Sequence, residues 1–116
     1  MLTYINITLI EKVFKKLIKN EKILGEDDIS VAKSYNNLGT LYCKLKKYDL
    51  AEEYLLKAIE KTSALLGEEN EVLATAYNNL GVLYTKCGVL DEAEKNILKA
   101  INIYLLYQIT YPEDLN

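Results

Sequence analysis

The side chains able to do chemistry in this 116-residue chain are 17 carboxylates, 14 lysines, 10 tyrosines and 2 cysteines. Every basic residue is a lysine, and histidine is absent. Without imidazole the chain lacks the group that exchanges protons most readily near neutral pH and binds metals most often. Without guanidinium it lacks a two-pronged clamp for carboxylate or phosphate. The paired acids Asp27-Asp28, Glu52-Glu53 and Glu68-Glu69 fall where loops or helix starts are expected. There, negative charge is stabilised by the free amides of a first turn, so they read as solvated charge and not as an acid–base pair. Cys43 and Cys87 form neither a CxxC pair nor a zinc spacing, and neither stands in the basic, partner-paired setting of a reactive thiol. The expectation is a protein that is not an enzyme, with no cofactor, no metal and no small-molecule substrate.

Binding remains. The net charge of −3 argues against nucleic acid, which needs a clustered basic excess. The charge is graded: five lysines against Glu11 and Glu21 give +3 over 1–23, then −1 over 24–65 and −5 over 66–116. The first ten residues have no basic lead or cleavage site, and the apolar run Ile101 to Tyr111 is too short to span a bilayer. With two cysteines too few for a disulfide framework, the chain reads as cytoplasmic.

Sliding the sequence along itself by 42 residues reveals the elements that must position these groups. Leu24-Gly25-Glu26 falls on Leu66-Gly67-Glu68, Tyr35-Asn36-Asn37-Leu38-Gly39 on Tyr77-Asn78-Asn79-Leu80-Gly81, and Leu56-Lys57-Ala58-Ile59 on Leu98-Lys99-Ala100-Ile101; 19 of 42 positions are identical without a gap. The chain therefore holds repeats at 24–65 and 66–107, a preceding half repeat at 1–23 and a tail at 108–116, all in one domain.

Each repeat reads as two helices. Ala32, Tyr35, Leu38, Gly39, Tyr42 and Leu45 recur at helical spacing, and so do Ala51, Tyr54/Leu55, Ala58, Thr62 and Leu65. Asp28 and Asn70 stand where an N-cap belongs, while Asp49-x-x-Glu52 and Asp91-x-x-Glu94 resemble capping boxes opening the second helices. Gly25 and Gly67 are expected to end helices in the left-handed conformation. Gly39 facing Ala51, and Gly81 facing Ala93, let paired helices approach closely. In residues 2–23 a stripe of Ile7, Ile10, Val13/Phe14, Leu17 and Leu24 predicts a helix with most lysines off it. Such a helix can lie on a membrane, but here it adjoins a stack that needs covering. No repeat can bury its faces alone, so the units stack. The predicted fold is all-α, a right-handed α-solenoid of antiparallel pairs with five helices.

Tyr35, Leu38, Gly39, Tyr42, Ala51, Leu55 and Ala58, with Tyr77, Leu80, Gly81, Tyr84, Ala93, Ile97 and Ala100, resemble the signature positions of the tetratricopeptide repeat. Its usual period is about 34 residues. The longer period here, the Leu-Gly-Glu connection and the doubled asparagines look like the kinesin light chain variety. Lys46 replaces the inter-helix glycine that Gly88 keeps, and the usual proline after the second helix is absent.

The resemblance implies a groove lined by the first helix of each repeat, in which a protein or peptide segment lies. Carried onto this chain, the groove positions are Lys33, Asn36, Asn37, Thr40, Cys43 and Lys44, then Thr75, Asn78, Asn79, Val82, Thr85 and Lys86. An asparagine amide both donates and accepts, so it can pair with any extended backbone, and lysines at the edge favour acidic segments. Asn37 and Asn79 have a rival role as links between neighbouring helices. The set lacks the arginine used by members that grip a chaperone's C-terminal carboxylate.

A second function class is self-association. Where the internal repeat has Glu60 to Leu65, the terminal one has Asn102, Ile103, Tyr104, Leu105, Leu106 and Tyr107, and Ile109 and Tyr111 extend it. Terminal repeats usually turn polar to cap a stack, whereas this one turns apolar on every side. Leu2, Tyr4, Ile5 and Leu9 offer another uncovered edge. A homo-oligomer is expected, either a dimer sealed by the last helices or a salt-sensitive head-to-tail stack.

Overall fold

The 42-residue repeat folds as two helical hairpins preceded by one helix. A computed structural model describes residues 4–24 and 29–111, with the side chains of 8–16, 18, 19 and 29–111. Among the described residues there are five helices and no strand: α1 (Tyr4–Leu24), α2 (Ile29–Lys44), α3 (Tyr48–Leu66), α4 (Glu71–Cys87) and α5 (Leu90–Thr110). Leu2, Tyr4, Ile5, Ile7, Leu17, Lys22, Leu24, Gly25, Asp27 and Asp28 bear on expectations that fall outside the described residues or side chains.

The hairpins close where a side chain is missing. A Cβ on Gly39 would lie 2.5 Å from Leu55 Cγ and 3.2 Å from the Ala51 carbonyl oxygen. One on Gly81 would lie 2.5 Å from Ile97 Cγ1 and 3.3 Å from the Ala93 carbonyl oxygen. Late α2 thus meets early α3, and late α4 meets early α5, which makes both pairs antiparallel. The pairs then share one core, in which Leu38, Tyr42, Cys43, Ala51 and Leu55 of the first pack with Leu80 and Leu83 of the second. Phe14 and Ile18 bring α1 onto it, and Leu73, Ala74, Ala100 and Ile103 extend it at the far end. The all-α solenoid expected from the repeat is the fold observed. Its radius of gyration is 15.0 Å, against about 13 Å for a compact domain of this length, so the stack is less compact than a globular domain of the same length.

Several local expectations are corrected. Asn70 caps α4, its side chain accepting from the Leu73 amide at 2.8 Å. The capping boxes at Asp49 and Asp91 are not formed. Each second helix begins at the residue before that aspartate, behind Lys47 or Val89, and neither flanking residue makes a side-chain cap. Backbone bonds from Lys47 to Tyr42 and from Val89 to Tyr84 already close those turns. Lys46 has φ 61, the left-handed conformation that Gly88 (φ 77, ψ 12) takes in the other hairpin. Gly67 has positive φ (80) but an extended ψ of −166, and its amide donates to the Ser63 carbonyl. Val13 was expected in the buried stripe and is 49% exposed, because Phe14 and Ile18 face the core.

Two substitutions test the packing. Gly39→Ala should gain about 1 kcal/mol of helix propensity yet lower stability overall, because overpacking at this depth costs about 1–3 kcal/mol. Urea melts with an unchanged or raised midpoint would contradict the close approach. Thr62 is fully buried, and its hydroxyl has no hydrogen-bond partner among the described residues. Thr62→Val, which replaces that hydroxyl by a methyl of similar shape, should raise the melting midpoint by the equivalent of about 1 kcal/mol.

Candidate functional site

Along α2 the residues turned from the core run Lys33, Asn37, Thr40 and Lys44, at steps of four, three and four. On α4 they run Thr75, Asn78, Val82 and Lys86. One hydrogen bond sets the two faces side by side: Asn79 Nδ2 donates to Asn36 Oδ1 at 2.9 Å. This changes the roles of the asparagines. Asn36, expected in the groove, is occupied by the neighbouring helix, whereas Asn37, expected in the groove with linking as a rival role, is exposed. Asn78 occupies Asn36's place in the second repeat, where none of the described helices packs against it as α4 does on Asn36, and it is exposed too.

The hydroxyls of the strip are turned inward. Thr40 donates to the Asn36 carbonyl at 3.0 Å, Thr85 to the Gly81 carbonyl at 2.9 Å and Thr75 to the Glu71 carbonyl at 3.0 Å. Thr75 Oγ1 also lies 3.3 Å from Tyr104 Oη. The outward chemistry is therefore the amides of Asn37 and Asn78 and the ammonium groups of Lys33, Lys44 and Lys86, with Val82 as an apolar step between them. Cys43 does not belong to the strip. It is buried in the shared core, because α4 covers the position that stays open as Thr85 in the last repeat. Cys87 is exposed at the end of α4.

The faces are held in place by a bond that recurs at each junction and that sequence reasoning missed. Tyr42 Oη donates to Glu11 Oε1 of α1 at 2.7 Å, and Tyr84 Oη donates to Glu52 Oε2 of α3 at 2.7 Å. Glu52 therefore joins two repeats and is not merely solvated charge. Glu11 lies 31 residues before its tyrosine and Glu52 lies 32 before its own, so the 42-residue offset does not align them. Burial, then the bond to Glu11, pushes the Tyr42 hydroxyl up to about 12. Burial, then the bond to Glu52, does the same to Tyr84. The Tyr42 hydroxyl, helped by Lys15 at 3.1 Å, holds Glu11 below its ordinary 4.5, with burial opposing.

At the end of the stack, Ile103 is corrected from the apolar association set. It is buried on Leu73 and Ala100, because Ala93, Asn96, Ala100 and Ile103 form the inward stripe of α5. Tyr107, one further step along that stripe, is half-buried and packs on Tyr111 at 4.8 Å. Tyr104, Leu105, Leu106 and Ile109 are exposed, Ile109 to 77%.

Antiparallel helix pairs stacked through the same tyrosine–carboxylate bond define an α-solenoid of helical repeats. A family model of the tetratricopeptide repeat matches residues 21–106, and the chain belongs to that family. The family's repeats are non-catalytic modules for protein–protein interaction. Among solved structures the chain is similar to BtubC (BKLC) from P. vanneervenii, with 33% identity over 80% of its length and a TM-score of 0.75. It spans 37% of that protein's chain. No curated protein matches the sequence. Among the described residues no helix is long and apolar enough to cross a membrane.

The junction bonds predict how stability depends on pH. A tyrosine whose folded value is raised stabilises the fold fully below pH 10 and loses that contribution as pH climbs towards 12. Glu11, whose value is lowered, stabilises above 4.5 and loses its contribution as pH falls below it. Phenolate absorbance and circular dichroism recorded together should show the last tyrosines ionising as helix is lost, and Tyr42→Phe should remove one late-titrating group. Complete ionisation near pH 10 with helix intact would rule out the buried bonds.

Proposed function

We propose that this chain is a binding module that holds an extended, acid-bearing segment of another protein in the groove along α2 and α4. The observation that carries this reading is the polar, basic strip: Asn37 and Asn78 with outward amides, flanked by Lys33, Lys44 and Lys86 and broken by Val82. The amides pair with a backbone whatever its side chains, and the lysines select carboxylates. Thr40 and Thr75 shape the strip without offering free hydroxyls, while Asn36 and Asn79 hold its two rails in register. The period of 42 and the long second helix support placing the repeats in the kinesin light chain-like variety. The free thiols of Cys43 and Cys87 suit a reducing compartment such as the cytoplasm.

A second reading rests on α5. Tyr104, Leu105, Leu106 and Ile109 form an exposed apolar face at the end of the stack, and Leu98 and Ile101 are exposed on the same helix. Burial against a second copy would cover this face, so self-association belongs to the proposal as an alternative function.

The groove is tested with a peptide array scored for acidic content, followed by titration of the hits. The Asn37→Ala/Asn78→Ala double variant should bind more weakly by about 0.5–1.5 kcal/mol for each amide removed, with unchanged helix content. Asn36→Ala should instead lower stability. Equal affinity for the double variant, or hits with no acidic preference, would reject the groove. Light scattering decides the second reading: Leu105→Lys should dissociate an oligomer that the parent chain forms.

A further inference from the structure

A different face of the stack carries a site that the repeat pattern does not explain. Lys15, Ile18 and Lys19 of α1 face Tyr54 and Lys57 of α3 across Tyr35 of α2, enclosing a hollow of about 240 Å³. Through Tyr35 and Lys57 it continues into a second hollow of about 420 Å³, bounded by Glu60, Lys61 and Ala64. Its floor is aromatic, since the Tyr35 and Tyr54 rings lie 6.0 Å apart. Lys57 Nζ stands 5.9 Å from the first ring and 5.2 Å from the second.

Among the described residues the two hollows are lined by four lysines and one carboxylate, Glu60. Lys15 is paired with Glu11 at 3.1 Å and Lys57 with Glu53 at 3.4 Å. Lys19 and Lys61 form no ion pair among the described residues. The second repeat serves as an internal comparison. At the place of Tyr54 it has Asn96, buried and donating back to the Glu92 carbonyl. At the place of Lys61 it has Ile103, buried in the core. Stacking helix pairs therefore requires neither the second aromatic ring nor the fourth lysine. Tyr54 also packs on Tyr42 at 5.6 Å.

We propose that the cleft between α1 and α3 is a second binding site, taking a short acidic peptide segment with one aromatic or large aliphatic side chain. That side chain enters beside Tyr35 and Tyr54, next to the Lys57 ammonium that lies over both rings, and the flanking carboxylates meet Lys19 and Lys61. Charge complementarity selects this occupant. An open hollow of this size, with an aromatic floor and charged walls, suits one or two side chains. A long polyanion would run from the cleft onto a chain whose residues 66–116 carry −5, so nucleic acid and an anionic bilayer fit less well.

The test uses the full chain and a fluorescein-labelled peptide of eight glutamates around a central tyrosine, followed by anisotropy at low salt. Binding should weaken by about tenfold or more in Tyr54→Asn/Lys61→Ile, which installs the second repeat's residues. Lys19→Glu, at an exposed position, should weaken it in the same direction and keeps the test decisive if the first variant does not fold. A peptide with glycine for tyrosine should bind less well, and the loss caused by the cleft substitutions should persist when Lys33→Ala/Asn37→Ala removes the groove's own contacts with acidic segments. The proposal is overturned if the peptide does not bind, or if the cleft substitutions leave its binding unchanged in the parent and in the groove-variant background. It is also overturned if the glycine peptide binds equally well, or if anionic vesicles displace the probe as effectively as unlabelled peptide.

Discussion

The approach of two backbones at Gly39 and Gly81 is the constraint from which the rest of the structure follows. With Leu55 Cγ and Ile97 Cγ1 lying 2.5 Å from where a Cβ would be, each helix pair has an interval set by packed atoms and not by its loop. That interval decides which residues are enclosed within a pair and which are left to face the next. Ala51 and Ala93 are small for the same reason, while Leu38, Tyr42, Leu80 and Leu83 fill the wider gaps between pairs. Close-packed interiors transmit such a choice across several helices, because a shift at one contact must be accommodated at the next.

Neighbouring pairs are joined by a polar bond at the edge of an apolar contact. Tyr42 reaches Glu11 and Tyr84 reaches Glu52, both at 2.7 Å. In each case a buried ring ends in a hydroxyl that needs an acceptor, and the preceding second helix supplies it. α1 therefore acts towards α2 as α3 acts towards α4, which gives the opening half repeat a structural meaning. Asn36 and Asn79 add a link between the first helices, and this link sets the outward strip in register. In a stack where each unit touches only its neighbours, stability is close to a sum of unit and junction terms. Loss of one junction would therefore uncouple the groove without unfolding each pair.

The architecture was legible in the sequence because a repeat states the same packing problem twice. Alanine, glycine, leucine and tyrosine at matching positions identify the helices, their inward faces and their pairing. Asn70 could be read as a cap because its role is local. What could not be read depends on how one repeat is rotated against the next. The Asn36–Asn79 bond joins the first asparagine of one copy to the second of the other, and the Tyr42–Glu11 and Tyr84–Glu52 bonds differ by one residue in spacing. Cys43 looked outward until α4 was placed over it, and Ile103 looked uncovered until α5 was rotated onto Leu73. The lysine and tyrosine cleft joins three helices and has no linear signature at all.

The most direct test of this account is a double-mutant cycle between Gly39 and Leu55, followed by urea unfolding. If the pair interval is set by that contact, Gly39→Ala and Leu55→Ala should each destabilise the chain. Combined, they should destabilise it by less than their sum, with a coupling of about 1 kcal/mol or more, because the truncated leucine makes room for the added methyl. Strictly additive losses would show that the two residues do not share the contact, and would contradict the geometry from which the junctions and both binding faces are derived.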